Sequence, residues 1–146
     1  MRDVLLHALR NCVDHGIEPR GERPESKPGR GRIQVHCSWQ GKDLVFEVVD
    51  DGRGIDPDAL RARAFEKGLI QEEQVDAMPD EEVAELLFLP GFSMAKKITD
   101  VSGRGVGMDV IRSTMIGLKG DAAVSSRFGE GTRLTLRIPS DYYQQL

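Results

Sequence analysis

The chain has no apolar run near the roughly 20 residues a membrane-spanning helix requires, and no cleavable signal pattern opens it. It also has no basic excess. The formal net charge is −4, so the electrostatic footprint of a nucleic-acid-binding protein is missing. Cysteine is scarce: Cys12 and Cys37 stand far apart without CxxC spacing, which argues against a metal pair or a redox motif. Both fall in apolar-periodic segments and are expected to be buried free thiols, a usage that suits a reducing, cytoplasmic compartment. Internal repeats and low-complexity tracts are absent too. What is left is 146 residues, 39% hydrophobic and 30% charged, the mix of a single ordinary globular domain spanning 1–146.

Residues 3–15 read as an amphipathic helix closed by Gly16. At about 100° per residue, Val4, Leu5, Leu6, Ala8, Leu9, Cys12 and Val13 cover one broad face, and His7, Asn11 and His15 form a narrow ridge on the other. Residues 17–32 are Pro, Gly and charge without periodicity, which predicts a surface loop. Strands are predicted over about 33–39, 43–50, 121–127 and 132–138, with short turns inside each pair. Helices are predicted over 57–68, 81–88 and 108–118, with Pro57, Gly68 and Pro90-Gly91 as start and stop signals. Two hairpins and interspersed helices imply an α+β chain, a two-layer sandwich of a mostly antiparallel sheet with helices on one face.

Four clusters carry chemistry. The ridge His7, Asn11, His15, with Asp14 beside it, offers an amide oxygen suited to Mg²⁺ and an imidazole one turn away; a capped surface helix would show the same pattern. Asp50-Asp51-Gly52-Arg53-Gly54 closes an apolar strand. A carboxylate there can accept a purine amine, with the glycines letting a flat ring approach the backbone, although DxGxG is also a plain turn. Ser102-Gly103-Arg104-Gly105-Val106-Gly107 leads into a helix at Met108. Backbone N–H groups at such an N-terminus suit a triphosphate, and Gly105 and Gly107 are expected at positive φ or against phosphate. Neither a Walker loop nor a Rossmann fingerprint fits this segment. Gly129-Glu130-Gly131-Thr132 reads on its own as a hairpin turn.

In order and spacing, these clusters resemble the GHKL ATPase superfamily and, within it, the chemotaxis histidine kinases. The resemblance is carried by His7 through Glu18, by Asp50 through Gly54, by Pro90-Gly91-Phe92-Ser93, and by Val101 through Val110. It implies a Bergerat-type fold that binds ATP and Mg²⁺. Asn11 would hold the metal, with Asp14 and His15 supporting the phosphates. His7 would stand where hydrolytic relatives carry a glutamate base. Asp50 would read adenine, with Gly52 and Gly54 beneath the ring and Thr132 supporting. Ser102, Gly103, Arg104, Gly105, Val106, Gly107 and Met108 would wrap the triphosphate.

Residues 56–102 correspond to the family's lid, with Phe88 and Phe92 as anchors, and Met94 departs from its usual threonine. Partners implied are a histidine phosphotransfer domain, downstream response regulators, and the dimerisation and adaptor- or receptor-coupling domains of a full kinase. None of these lies in the chain, which is expected to be one module of a larger kinase. A GHKL hydrolase and a non-catalytic nucleotide-binding module are the alternatives.

Overall fold

A computed structural model of the chain describes residues 1–92 and 107–143. Its frame is one four-stranded sheet: β1 (Ile33–Gln40), β2 (Asp43–Asp50), β3 (Asp121–Arg127) and β4 (Gly131–Pro139), in the order β1-β2-β4-β3. Every neighbouring pair is antiparallel, as the two hairpins predict. Gly41, at φ 63°, supplies the tight turn between β1 and β2.

Alternation along the strands decides the layers. Leu134, Leu136 and Ile138 of β4 lie opposite Val48, Phe46 and Leu44 of β2, and Ala122 and Val124 of β3 continue the same face. Helix α1 (Arg2–Asn11) packs on β2, and α5 (Met108–Gly117) packs on β3 and β4. Val4, Ala8 and Cys12 thereby join Ile111, Met115 and the strand residues in the main core. The opposite face carries ion pairs such as Arg133–Glu47 at 2.9 Å and Arg137–Asp43 at 3.2 Å. The two-layer expectation holds.

Between β2 and α5 lies a helical layer: α2 (Pro57–Glu66), α3 (Glu72–Ala77), α4 (Asp80–Val83) and a 3₁₀ turn, Ala84–Phe88. Asp56 caps α2 by accepting from the Asp58 and Ala59 amides, and Gly68 follows it at φ 70°. Leu60, Ala64, Ile70, Val83, Leu86 and Phe92 form a second core of their own. The described part of the expected lid is thus a packed unit. Arg112 of α5 fastens it to the sheet, donating to Glu85 at 2.6 Å and to the Ala122 carbonyl at 2.7 Å while stacking on Phe88. A last short helix, α6, spans Ser140–Tyr143. Among the described residues no helix is long and apolar enough to cross a membrane.

Two expectations are corrected. The helix predicted over 3–15 keeps α geometry only to Asn11. Cys12–Gly16 form a π turn, closed by the Ile17 amide on the Cys12 carbonyl at 2.7 Å. His15 therefore lies in the π turn, outside the α-helix that carries His7 and Asn11. Cys37 is exposed, whereas Cys12 is buried as expected. Val35, Cys37 and Trp39 do point to the core face, but β1 is an edge strand beyond α1, so Val35 stays 48% and Trp39 61% exposed.

Candidate functional site

Asp50 is the last residue of β2 and is 6% exposed. The Gly52 amide donates to its Oδ1 at 2.9 Å. A methyl group added at Gly16 would lie 3.0 Å from its Oδ2, so the end of the π turn sits directly against this carboxylate. Burial pushes Asp50 above the ordinary carboxylate range, an effect the Gly52 amide and the Cys12 thiol partly offset. Cys12 answers in kind. Its own burial, then the charge of Asp50 and the hydrogen bond to it, push the thiol up to about 12, which keeps it a donor.

The glycines here have a structural task. A side chain on Gly52 would collide with the Gly16 carbonyl, and one on Gly54, at φ 66°, with the Arg127 carbonyl. Gly131, at φ 135°, lies in the same way against the carbonyl of Asp50. Arg53 threads this contact, its amide donating to the Gly16 carbonyl at 2.8 Å and its carbonyl accepting from Gly129 at 2.7 Å. The turn Gly129–Thr132 is therefore part of the same assembly. Thr132 pairs with Asp50 across the sheet. Ser126 Oγ donates to the Gly131 carbonyl at 2.9 Å and accepts from the Ile55 amide at 2.9 Å. With its only proton so used, it accepts from the Thr132 hydroxyl at 3.0 Å.

Asn11 lies elsewhere on the π-turned helix. Its Nδ2 donates to Met108 Sδ at 3.4 Å, tying the end of α1 to the start of α5 across 97 residues of sequence. His7 is half-buried on the same ridge, and Asp14 and His15 are exposed. Gly107 caps α5 at φ −86°, ψ 179°, an extended conformation, so of its two expected roles, positive φ or a place against phosphate, the first is not adopted. Ser102, Gly103, Arg104, Gly105 and Val106 lie outside the described residues, as does Met94. The structure thus brings Asp50 together with Gly52 and Thr132, and Asn11 together with Met108, with Cys12 between Asn11 and the Asp50 carboxylate.

Sequence reasoning missed a buried ionic cluster beside Asp50. Glu18, 8% exposed, accepts from Arg23 at 2.8 Å and from Lys27 at 2.7 Å. Burial alone would raise Glu18, but these two cations hold it below the ordinary range. Pro and Gly around Arg23 and Lys27 made this segment read as a plain loop. No signal in it distinguishes a buried cation from a solvated one.

The family model described as histidine kinase-, DNA gyrase B-, and HSP90-like ATPase matches residues 1–142. The chain is 48% identical over 140 residues to the gliding motility regulatory protein of Myxococcus xanthus, covering 95% of this chain and 18% of that protein. It is 47% identical over 138 residues to the chemotaxis protein CheA of Halobacterium salinarum (94% and 21%). To the sensor histidine kinase CheAY of Helicobacter pylori it is 45% identical over 138 residues (94% and 17%). The chain spans about a fifth of the length of these relatives. Among solved structures, the histidine kinase domain of a blue-light activated histidine kinase from Erythrobacter litoralis shares the fold. Its TM-score is 0.50 at 19% identity, covering 97% of this chain and 44% of that one.

Proposed function

Because the chain belongs to the family of histidine kinase-, DNA gyrase B- and HSP90-like ATPases, we propose that it is the ATP-binding catalytic domain of a chemotaxis-type protein-histidine kinase. The observation that carries this is the Asn11–Met108 contact. It brings the helix bearing His7 and Asn11 against the N-terminus of α5, where backbone N–H groups and the helix dipole favour phosphate. In this reading Asp50 accepts the adenine amine, and a guanine carbonyl would meet the same carboxylate with repulsion.

Asn11 presents one amide oxygen, a donor set that fits Mg²⁺, which takes few protein ligands and keeps its waters and phosphate oxygens. When bound, Mg²⁺ neutralises charge on the phosphates. Asp14, His15 and the glycine run through Gly107 supply the remaining phosphate support in this reading. His7 occupies the position from which a carboxylate would activate water. An imidazole there is a weaker base for water and leaves the γ-phosphoryl for an acceptor histidine. That acceptor belongs to a separate phosphotransfer domain, with response regulators downstream and dimerisation and coupling domains elsewhere in the full kinase. The unbridged Cys12 and Cys37 support a reducing, cytoplasmic setting.

Radiolabelled ATP offered with and without a phosphotransfer domain, with a dimerisation segment supplied, tests the reading. Label on the domain's histidine is expected. Free phosphate alone would make the chain a hydrolase, and neither product would make it a binding module. In that assay Asn11→Ala should abolish transfer together with Mg²⁺–ATP binding. His7→Ala should keep the nucleotide and lose about 10²–10⁴-fold in rate; a parental rate would reduce His7 to part of a polar helix face.

A further inference from the structure

Arg23 lies in the loop after the π turn, yet its side chain is only 3% exposed. Its guanidinium is a fork between two chain segments. Nη1 donates to Glu18 at 2.8 Å and to the Asp51 carbonyl at 3.2 Å, and Nη2 donates to the Asp51 carboxylate at 2.8 Å. Nε is held by the Pro28 carbonyl at 2.6 Å. Lys27 repeats the bridge, donating to Glu18 at 2.7 Å and to the Gly52 carbonyl at 2.5 Å. The Arg32 amide takes the other Asp51 oxygen at 2.8 Å. Both residues following Asp50 are thus gripped by cations from the loop. Gly52 in turn grips Asp50, through its amide at 2.9 Å.

Buried ion pairs of this kind add little to stability, because desolvation offsets most of the attraction; well-packed apolar side chains often serve as well or better. Their distinctive product is a fixed geometry. We propose that Arg23 is a positioning residue: through Asp51 and Gly52 it sets the Asp50 carboxylate, and with it the preference for adenine over guanine nucleotides. This rests on the reading that Asp50 receives the adenine amine.

Arg23→Lys keeps the charge and most of the stem but cannot span Glu18 and Asp51 as a planar fork. Binding of Mg²⁺–ATP and Mg²⁺–GTP is measured by calorimetry below the melting point of each variant, with thermal melting alongside. The ATP-over-GTP ratio is expected to fall by about tenfold, the scale of one misaligned charge-assisted hydrogen bond. Asp51→Asn, which weakens the same grip from the other side, should lower the ratio in the same direction and serves if Arg23→Lys does not fold. Arg137→Lys, on β4 where it pairs with Asp43 at the opposite end of β2 from Asp50, should leave the ratio alone. A lower melting point with an unchanged ratio in the Arg23 and Asp51 variants would make the cluster a structural staple and overturn the proposal, as would an equal fall in Arg137→Lys. A parental chain without preference for ATP would instead remove the adenine reading of Asp50 itself.

Discussion

Two carboxylates are buried in neighbouring parts of this molecule, and their surroundings are opposite. Glu18, 8% exposed, faces two cations at 2.7 and 2.8 Å. Asp50, 6% exposed, receives the Gly52 and Thr132 backbone amides and the Cys12 thiol, while the charge of Asp51 acts on it with the same sign. A folded chain ordinarily pairs a buried charge or gives it up. Glu18 follows that rule and belongs to the scaffold. Asp50 follows it the other way, with neutral donors and no cation and with burial favouring its protonated form, as suits a carboxylate whose further partner is a ligand. Perturbation of this sort collects at sites where function rather than stability selects the residue.

The largest effect should come from breaking the paired side. Arg23→Leu leaves Asp51 without its ion pair and Glu18 with Lys27 alone, and removing one partner of a buried pair costs about 3–5 kcal/mol. Denaturant unfolding should show that loss. The double variant Arg23→Leu/Asp51→Asn should recover part of it, since the charge left without its ion pair is removed while Glu18 keeps Lys27. Equal losses in the single and double variants would mean that packing, not charge, governs this corner.

Next is the unpaired side. Asp50→Asn preserves shape and removes the charge, so the apo chain should melt no lower than the parent. ATP binding should nevertheless weaken by about 1–3 kcal/mol as a charge-assisted hydrogen bond is lost. Stability and affinity moving together would contradict the contrast with Glu18. Gly52→Ala should do the reverse of Asp50→Asn. Its methyl group has no room beside the Gly16 carbonyl, and overpacking of this kind costs about 1–3 kcal/mol of stability. Gly107→Ala, at an extended backbone that alanine adopts freely, should leave the melting point unchanged. Any loss there would appear in ATP affinity alone.

The contrast was only half visible in the sequence. Asp50 stood out because an apolar strand ran straight into Asp-Asp-Gly, and the strands and their pairing followed from alternation. Four features escaped. Helix α3 carries a single apolar residue of note, Val75, so periodicity had nothing to register. The π turn keeps the apolar spacing of an α-helix and differs from it by one hydrogen-bond step, which composition does not reveal. Cys37 pointed to the correct face, but alternation assigns a face without saying whether a helix covers it. The Glu18–Arg23–Lys27 cluster is a long-range pairing of residues that, one by one, look like ordinary loop charges.

The smallest effect is also the one that separates the two carboxylates most directly, and it lies in pH. Burial raises Asp50 above the usual aspartate value of 3.8. A group raised on folding contributes stability that is fully present below its unfolded pKa and lost as pH rises through the folded one. Glu18 is lowered from 4.5, because Lys27 and Arg23 outweigh its burial. Its contribution is present above the unfolded pKa and is lost as pH falls through the depressed value. Melting temperature followed across the acidic range should therefore respond in opposite ways. Asp50→Asn should remove a loss that the parent suffers on the way up from 3.8, and Glu18→Gln should remove one that it suffers on the way down from 4.5. Adding Mg²⁺–ATP should shrink the Asp50 component, since an adenine amine on the carboxylate favours its ionised form, and leave the Glu18 component in place. Identical slopes for the two variants would mean that both charges are compensated alike, and the case for Asp50 as the residue that waits for a ligand would fall.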